Sequence, residues 1–340
     1  MSVELHLSVP GLLPAASVDA ARLNRGNPKL KLLETWLSRA EKIPVFEKGC
    51  KRQLLRLSSM PVNNPPIAAI ARLGEGGAAD AHFWVAVTPA HFVAEGENIV
   101  MYGGDDLKLS EQEAQAFVAE FNDSYRNEGW FMEMRAVRRW YLRCPAPAEV
   151  QLIDYEEVVG ESIKEYLPQG RDAKAWLTLF NEIQMLFYGS ALNQQRHEKS
   201  LPDINGVWLW GGGVLPKSEC VWQQVWSDDV LAQGLAKLSG VSPEVLPATA
   251  EECLGKLVTK GSVLISTTSL AHDVNTGDVA QREAKLCTFI SNWLQPLNTA
   301  IKNRKIDVLN LYLGGNICFR LDASLLRRFW RARKSITHYL

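Results

Sequence analysis

Six histidines, His6, His82, His91, His197, His272 and His338, are the first residues to test for chemistry in this 340-residue chain. None stands in an HxxxH or HxH spacing, the patterns that would aim two imidazoles at one metal. His272-Asp273 is the sole adjacent His/Asp pair. It reads as part of a metal site or, more plainly, as a solvated loop pair. His91, in Thr88-Pro89-Ala90-His91, reads as a hydrogen-bonded structural histidine. No G-x-S-x-G elbow, Walker loop or Rossmann glycine fingerprint is present. Gly211-Gly212-Gly213 follow an apolar run and can offer backbone N–H groups to an anion. Glycines there serve equally for a tight turn or close packing. Asp105-Asp106 reads as a solvated turn. Near the C-terminal end Arg327, Arg328, Arg331, Arg333 and Lys334 surround Phe329 and Trp330. Such a segment can contact nucleic acid or an acidic partner. We read it instead as the charged outer face of a terminal helix whose aromatic residues pack inward.

Composition narrows the class. Hydrophobic residues make up 46% of the chain and charged residues 22%, as in ordinary globular proteins. The formal net charge of -1 gives no global pull toward nucleic acid or acidic lipid. No apolar run has the length of a membrane span, and no signal-peptide pattern opens the chain. Six cysteines stand far apart without a CxxC pair, which predicts reduced thiols and a cytoplasmic location.

The elements that must position these groups follow from periodicity. Val3, Leu5, Leu7 and Val9 alternate with Glu4, His6 and Ser8, a half-buried strand ended by Pro10-Gly11. Leu33, Trp36, Leu37 and Ala40 recur at helical spacing. Strands are expected at 82–87 and 98–101, then a helix opened by the capping box Ser110/Glu113 and carrying Ala114, Phe117, Val118, Phe121 and Tyr125 on one face. Further strands are expected at 131–134, 140–143 and 150–153, and a second amphipathic helix through Trp176, Phe180, Ile183 and Phe187. Beyond residue 202, strands at 206–210, 262–266, 307–313 and 316–321 alternate with helices. Val207 to Trp210 is apolar at every position, which predicts a central strand buried on both faces. One helix is expected to start at a Thr249/Glu252 capping box, and another to kink at Pro296. Gly314-Gly315 is a hairpin signal. Strands alternating with helices predict an α/β fold, a mostly parallel sheet with helices on both faces. The cluster at 106–202 reads as a smaller inserted α/β domain, leaving residues 1–105 and 203–340 as a discontinuous core.

One stretch carries a resemblance. It runs Gly160-Glu-Ser-Ile-Lys-Glu-Tyr-Leu-Pro-Gln-Gly170, a helix, Asn193-Gln-Gln-Arg196, and then Asn205-Gly-Val-Trp-Leu-Trp-Gly-Gly-Gly213. It resembles the archaeal-type cofactor-independent phosphoglycerate mutases. Across nearly its whole length the chain is also similar to the bacterial RpfE-like regulatory proteins. That likeness rests on Leu7-Ser-Val-Pro-Gly-Leu-Leu13, Pro89-Ala-His-Phe92, Gly129-Trp130, Trp140-Tyr141, the WLWGGG segment and Arg328-Phe-Trp-Arg331. The resemblance implies an alkaline-phosphatase-like core with an inserted domain.

The mutases use two divalent cations held by Asp and His from several loops. The resemblance puts the first ligand just after strand one, where this chain has Val9-Pro10-Gly11. A second set belongs in Ala271-His272-Asp273-Val274-Asn275-Thr276-Gly277-Asp278, where Ala271 and Asn275 replace an Asp and a His. A third belongs at Tyr312-Leu313-Gly314. His272, Asp273 and Asp278 are what remains for a rearranged metal site. The chain is therefore expected to be a non-catalytic, phosphoglycerate mutase-like pseudoenzyme with a regulatory, ligand-binding or partner-binding role. It should need no cofactor and no membrane or nucleic-acid partner. The other reading is a metal-dependent phosphomutase or phosphatase with a rearranged site. A small anionic ligand, if one binds, is expected in a cleft between core and insertion, near Asn193, Arg196, Asn205, Gly211, Gly212 and Gly213. Arg196 alternatively forms a salt bridge at that junction.

Overall fold

The structure, a computed structural model, describes residues 2–13, 27–45, 47, 49–218, 221–271 and 279–339. In chain order the elements are β1 (Val3–Ser8), α1 (Lys31–Arg39), β2 (Glu41–Pro44), α2 (Cys50–Leu57), α3 (Ile67–Gly74), β3 (Trp84–Glu95), β4 (Asn98–Tyr102), α4 (Glu111–Ser124), β5 (Phe131–Ala136), β6 (Arg139–Arg143), α5 (Ala173–Tyr188), α6 (Ala191–Glu198), β7 (Gly206–Gly213), β8 (Gln224–Ser227), α7 (Val230–Leu238), α8 (Ala250–Gly255), β9 (Gly261–Ser266), α9 (Val279–Phe289), α10 (Gln295–Lys302), β10 (Val308–Tyr312) and β11 (Ile317–Leu321), with short helical turns between some of them. Contacts divide the chain into two units, residues 1–62 with 218–340, and residues 63–217.

The first unit is built on β1. Its odd-numbered residues Val3, Leu5 and Leu7 are buried, while Glu4 and His6 are half-buried. β1 pairs in parallel with β10 on one side and β9 on the other. β8 extends the sheet in parallel beyond β9, and β11 and β2 extend it antiparallel beyond β10, giving the order β2-β11-β10-β1-β9-β8. The Gly314-Gly315 hairpin joins β10 to β11 as expected. Leu309, Leu311, Phe319, Leu321, Val263 and Ile265 share the apolar face with the odd residues of β1. Leu33, Trp36 and Leu37 of α1 and Leu297 and Ile301 of α10 cover it.

The helix carrying Pro296 does not simply kink. α9 runs through a π turn at Ile290–Leu294 into α10, and Pro296 lies in the first turn of α10. A wider turn just before the proline relieves its clash with the preceding carbonyls and accommodates its missing N–H. Thr249 also departs from expectation. It flanks α8 but makes no side-chain cap hydrogen bond.

The second unit has its own sheet, antiparallel throughout: β4-β3-β6-β5, with β7 on the free side of β3. This corrects the expected boundaries at 106 and 202. Residues 84–102 and 206–213 pair with 131–143 rather than with β1, so the unit runs from 63 to 217. β7 also departs from expectation. Its unbroken apolar run predicts a central strand, yet among the described residues it pairs with β3 alone. Helices rather than a second strand bury it: Trp208 meets Phe180 of α5, and Ile67 of α3 packs at Gly211. Residues 150–153 make only a single bridge, Gln151 to Gln169, instead of a strand. α4 opens with the expected reciprocal box, since Ser110 Oγ accepts from Glu113 N–H and Glu113 accepts from Ser110 N–H. Phe117, Phe121, Trp140, Ile183 and Phe187 are fully buried beneath it. Ser110→Ala is expected to cost about 1 kcal/mol of stability, checked by urea unfolding monitored by circular dichroism.

Candidate functional site

Open α/β sheets bind ligands beyond the carboxyl ends of their parallel strands. In the first unit four such ends lie side by side. The registers set Ser227, Ser266, Ser8 and Tyr312 in one row across β8, β9, β1 and β10, and Cys318 of β11 opposite Tyr312. Registered neighbours point to the same face, so the sheet ends in four hydroxyls and a thiol. Ser227 Oγ donates to the Ser266 carbonyl at 2.8 Å. Ser8 Oγ and Ser266 Oγ are buried and have no hydrogen-bond partner among the described residues. Gln53 of α2 reaches the same end: its amide nitrogen donates to the Glu47 and Gly315 carbonyls, and its buried Oε1 is also unpartnered. Three orphaned polar atoms at one sheet end call for water or a ligand. Beyond β9, Asp228 accepts from Thr267 Oγ1 at 2.7 Å and from the Thr268 N–H at 2.7 Å. Asp229 caps α7 through the Leu231 N–H, and burial pushes its carboxyl up. Periodicity missed β8 because Val225-Trp226-Ser227 is too short to alternate; the Asp229 cap just after it was the available signal.

Two residues before this row lies His6. Its ring stacks on Tyr312 with centroids 5.9 Å apart and meets Trp222 edge-on at 5.1 Å. Trp222 donates to Ser58, which ties the end of α2 to this face. Burial, opposed by the weaker pull of Glu4, lowers the His6 pKa below its ordinary 6.5. Burial likewise pushes the Cys318 thiol up to about 11, so it is protonated at neutral pH. For a histidine with a depressed folded pKa, the contribution to stability is complete above the unfolded pKa. It is lost as pH falls from the unfolded pKa to the folded one, because in that window only the unfolded chain takes up the proton. Urea unfolding between about pH 7.5 and 5.5 should therefore show a smaller loss of stability in His6→Gln than in wild type.

The metal ligands that the resemblance implies are not found among the described residues of this end. Gly11 has φ +81°, and a Cβ there would overlap the Leu270 carbonyl oxygen and lie 2.6 Å from its carbon. Neither the conformation nor the space admits an aspartate. Leu313 is buried in the apolar core and Gly314 has φ +84°. Among the described residues no group of three or more His, Cys, Asp or Glu could hold a metal ion. His272, Asp273 and Asp278, together with Asn275, lie outside the described residues.

The residues expected to meet an anion in a cleft are engaged inside the second unit. For Arg196 this is the salt-bridge alternative, and for the three glycines the close-packing one. Arg196 is fully buried. Its guanidinium donates to Glu113 Oε1 at 2.8 Å, to the Pro202 carbonyl at 2.8 Å and to the Leu107 carbonyl. Burial would raise the Glu113 carboxyl, but bonds from Ser110 and Arg196 hold it below its ordinary value. Asn193 donates to the Phe187 and Ile204 carbonyls and accepts from the Ile204 N–H. Asn205 binds the Phe92 backbone as a strand would, accepting from its N–H at 2.7 Å and donating to its carbonyl at 2.9 Å. The three glycines continue β7 rather than forming an anion loop, and they are packing glycines. A Cβ on Gly213 would lie 2.5 Å from Pro66, and one on Gly212 3.1 Å from Phe83. His91 is hydrogen-bonded to the Asp203 carbonyl at 2.8 Å. Removing the arginine strands a half-buried carboxylate and two carbonyls. Arg196→Ala should cost about 3–5 kcal/mol, and Arg196→Lys, lacking the planar fork, should recover little of it. Chemical unfolding of both variants tests this.

Comparison with known proteins places this geometry. No protein-family profile matches the chain. It is 30% identical over 70 residues to the 2,3-bisphosphoglycerate-independent phosphoglycerate mutase of Methanosarcina mazei, a match covering 21% of this chain and 18% of that protein. It is 33% identical over 61 residues to a probable 2,3-bisphosphoglycerate-independent phosphoglycerate mutase of Geobacter sulfurreducens, covering 18% and 15% respectively. The matched segment thus spans less than a fifth of these relatives' length. The structure superposes on a cofactor-independent phosphoglycerate mutase of Thermoplasma acidophilum with a TM-score of 0.51 at 13% identity, covering 99% of this chain and 94% of that one. It matches the PH0037 protein of Pyrococcus horikoshii with a TM-score of 0.56 at 12% identity, covering 93% and 86%. The fold is that of the cofactor-independent phosphoglycerate mutases, and the chain is their distant homologue. Among the described residues no helix is long and apolar enough to cross a membrane.

Proposed function

We propose that the chain is a non-catalytic phosphoglycerate mutase-like protein, akin to the RpfE-like regulatory proteins, that uses the inherited scaffold for binding. One observation carries this reading: the turn after β1 is closed. Gly11 sits against the Leu270 backbone in a conformation that favours glycine, at the position where the mutase pattern requires a ligand-bearing aspartate. The ligand end of the sheet is instead lined by hydroxyls and an amide. Unpartnered among the described residues, Ser8 Oγ, Ser266 Oγ and Gln53 Oε1 favour a small polar or anionic ligand that both accepts and donates hydrogen bonds. This reading moves the expected ligand from Arg196 and Asn205, whose bonds are spent on the fold, to the first unit.

The test combines metal analysis of the purified protein, mutase and phosphatase assays with added manganese or zinc, and the variant Gly11→Asp. Expected are no stoichiometric pair of divalent cations, no turnover of 3-phosphoglycerate, and a Gly11→Asp protein destabilised by at least about 1–3 kcal/mol without gain of metal. Two tightly bound cations whose removal by a chelator abolishes a phosphatase or mutase activity would establish the rearranged-site enzyme instead.

A further inference from the structure

The segment 327–335 carries two adjacent aromatic rings at the surface. Phe329 is 81% exposed and Trp330 is 69% exposed. They do not pack inward from a terminal helix, as the sequence suggested. They lie just beyond a single turn, Leu325–Arg327, whose Leu325 and Leu326 are buried. Five cations flank the two rings with no acidic residue among them: Arg327, Arg328, Arg331, Arg333 and Lys334. All but the half-buried Arg328 are exposed. The segment is held in place from beneath by α1. Arg331 donates to the Ala40 carbonyl, Arg333 pairs with Glu34 at 3.2 Å, and the Lys334 N–H donates to Ser38 Oγ at 2.9 Å. The aromatic pair is thus presented outward on a fixed base, with positive charge on both sides, in a chain whose net charge is -1.

We propose that this tip docks the protein on an anionic phospholipid bilayer. Trp and Phe side chains partition into the interfacial layer, and clusters of four to eight basic residues are drawn to acidic headgroups. Neither contribution alone anchors a protein stably, but together they supply the two signals that reversible anchoring needs. Such docking requires no spanning helix. The geometry disfavours single-stranded nucleic acid. The rings meet edge-to-face, with planes 81° apart and centroids 5.3 Å apart, rather than as parallel platforms on which successive bases stack.

The experiment is co-sedimentation of the full chain with vesicles of phosphatidylcholine alone and of phosphatidylcholine with phosphatidylglycerol, at physiological ionic strength. Binding is expected to the anionic vesicles only, and to weaken as salt rises. Phe329→Ser/Trp330→Ser should lower the partition coefficient about tenfold or more, and so should Arg327→Gln/Arg328→Gln. Both variants should keep the wild-type thermal transition, because the changed side chains lie largely at the surface. Absence of vesicle binding, equal binding to neutral vesicles, or undiminished binding by the aromatic variant would overturn the proposal. So would oligothymidylate binding without vesicle binding, which would reassign the patch to nucleic acid.

Discussion

Everything in the first unit hangs on a strand of six residues near the start of the chain. β1 is the one strand paired in parallel on both sides to strands more than 250 residues away, β9 and β10. Its apolar side supplies the centre of the core, and its polar side carries Glu4, His6 and Ser8 to the candidate site. Until 261–266 and 308–312 arrive, β1 has no strand on either side to pair with. The whole second unit must be closed as a loop before the first sheet completes, and although closure entropy grows slowly with loop length, non-local pairing of this kind slows folding.

The same strand leads straight into a turn with no room for a side chain at residue 11. β1 delivers the chain directly into Val9-Pro10-Gly11, and the backbone of Leu270 fills the space that a side chain at residue 11 would need. Sheet order and a metal site depend on different atoms. The sheet needs alternation and backbone pairing; the metals need carboxylates and imidazoles on three separate loops. The surviving row of Ser227, Ser266, Ser8 and Tyr312 costs the sheet little, since hydroxyls are small and two of them pair locally. It leaves orphaned polar atoms where the ligand end of the scaffold should be.

In the second unit, polar residues act as architecture. Arg196, Asn193 and Asn205 replace backbone partners where the chain crosses from α6 into β7: one guanidinium serves two carbonyls and a carboxylate, and each amide completes a short stretch of backbone pairing. Glycines 211–213 let α3 and β3 approach β7 closely. Arg72 plays a similar part, lying 3.7 Å over the Trp84 ring while bonding Glu133 at 2.6 Å. Residues of this kind look like ligand-binding groups in a sequence because the same donors satisfy a buried carbonyl or a bound anion equally well.

The sequence by itself determined the α/β class, β1 and its two faces, the Ser110/Glu113 helix start, the 314–315 hairpin and the absence of ligand-bearing side chains at residues 11, 271 and 313. Each of these is a local property of residue type and spacing. Only the tertiary structure decided which strands share a sheet. Apolar alternation says that a strand is half-buried but not what it pairs with, so β3, β4 and β7 went to the second unit and moved its limits to 63 and 217. Only the structure, too, chose the buried salt bridge over the anion-binding fork for Arg196 and turned Phe329-Trp330 from packed rings into exposed ones. Whether a side chain faces water depends on what the rest of the fold brings to cover it, and helical periodicity carries no such information for a segment that does not become a helix.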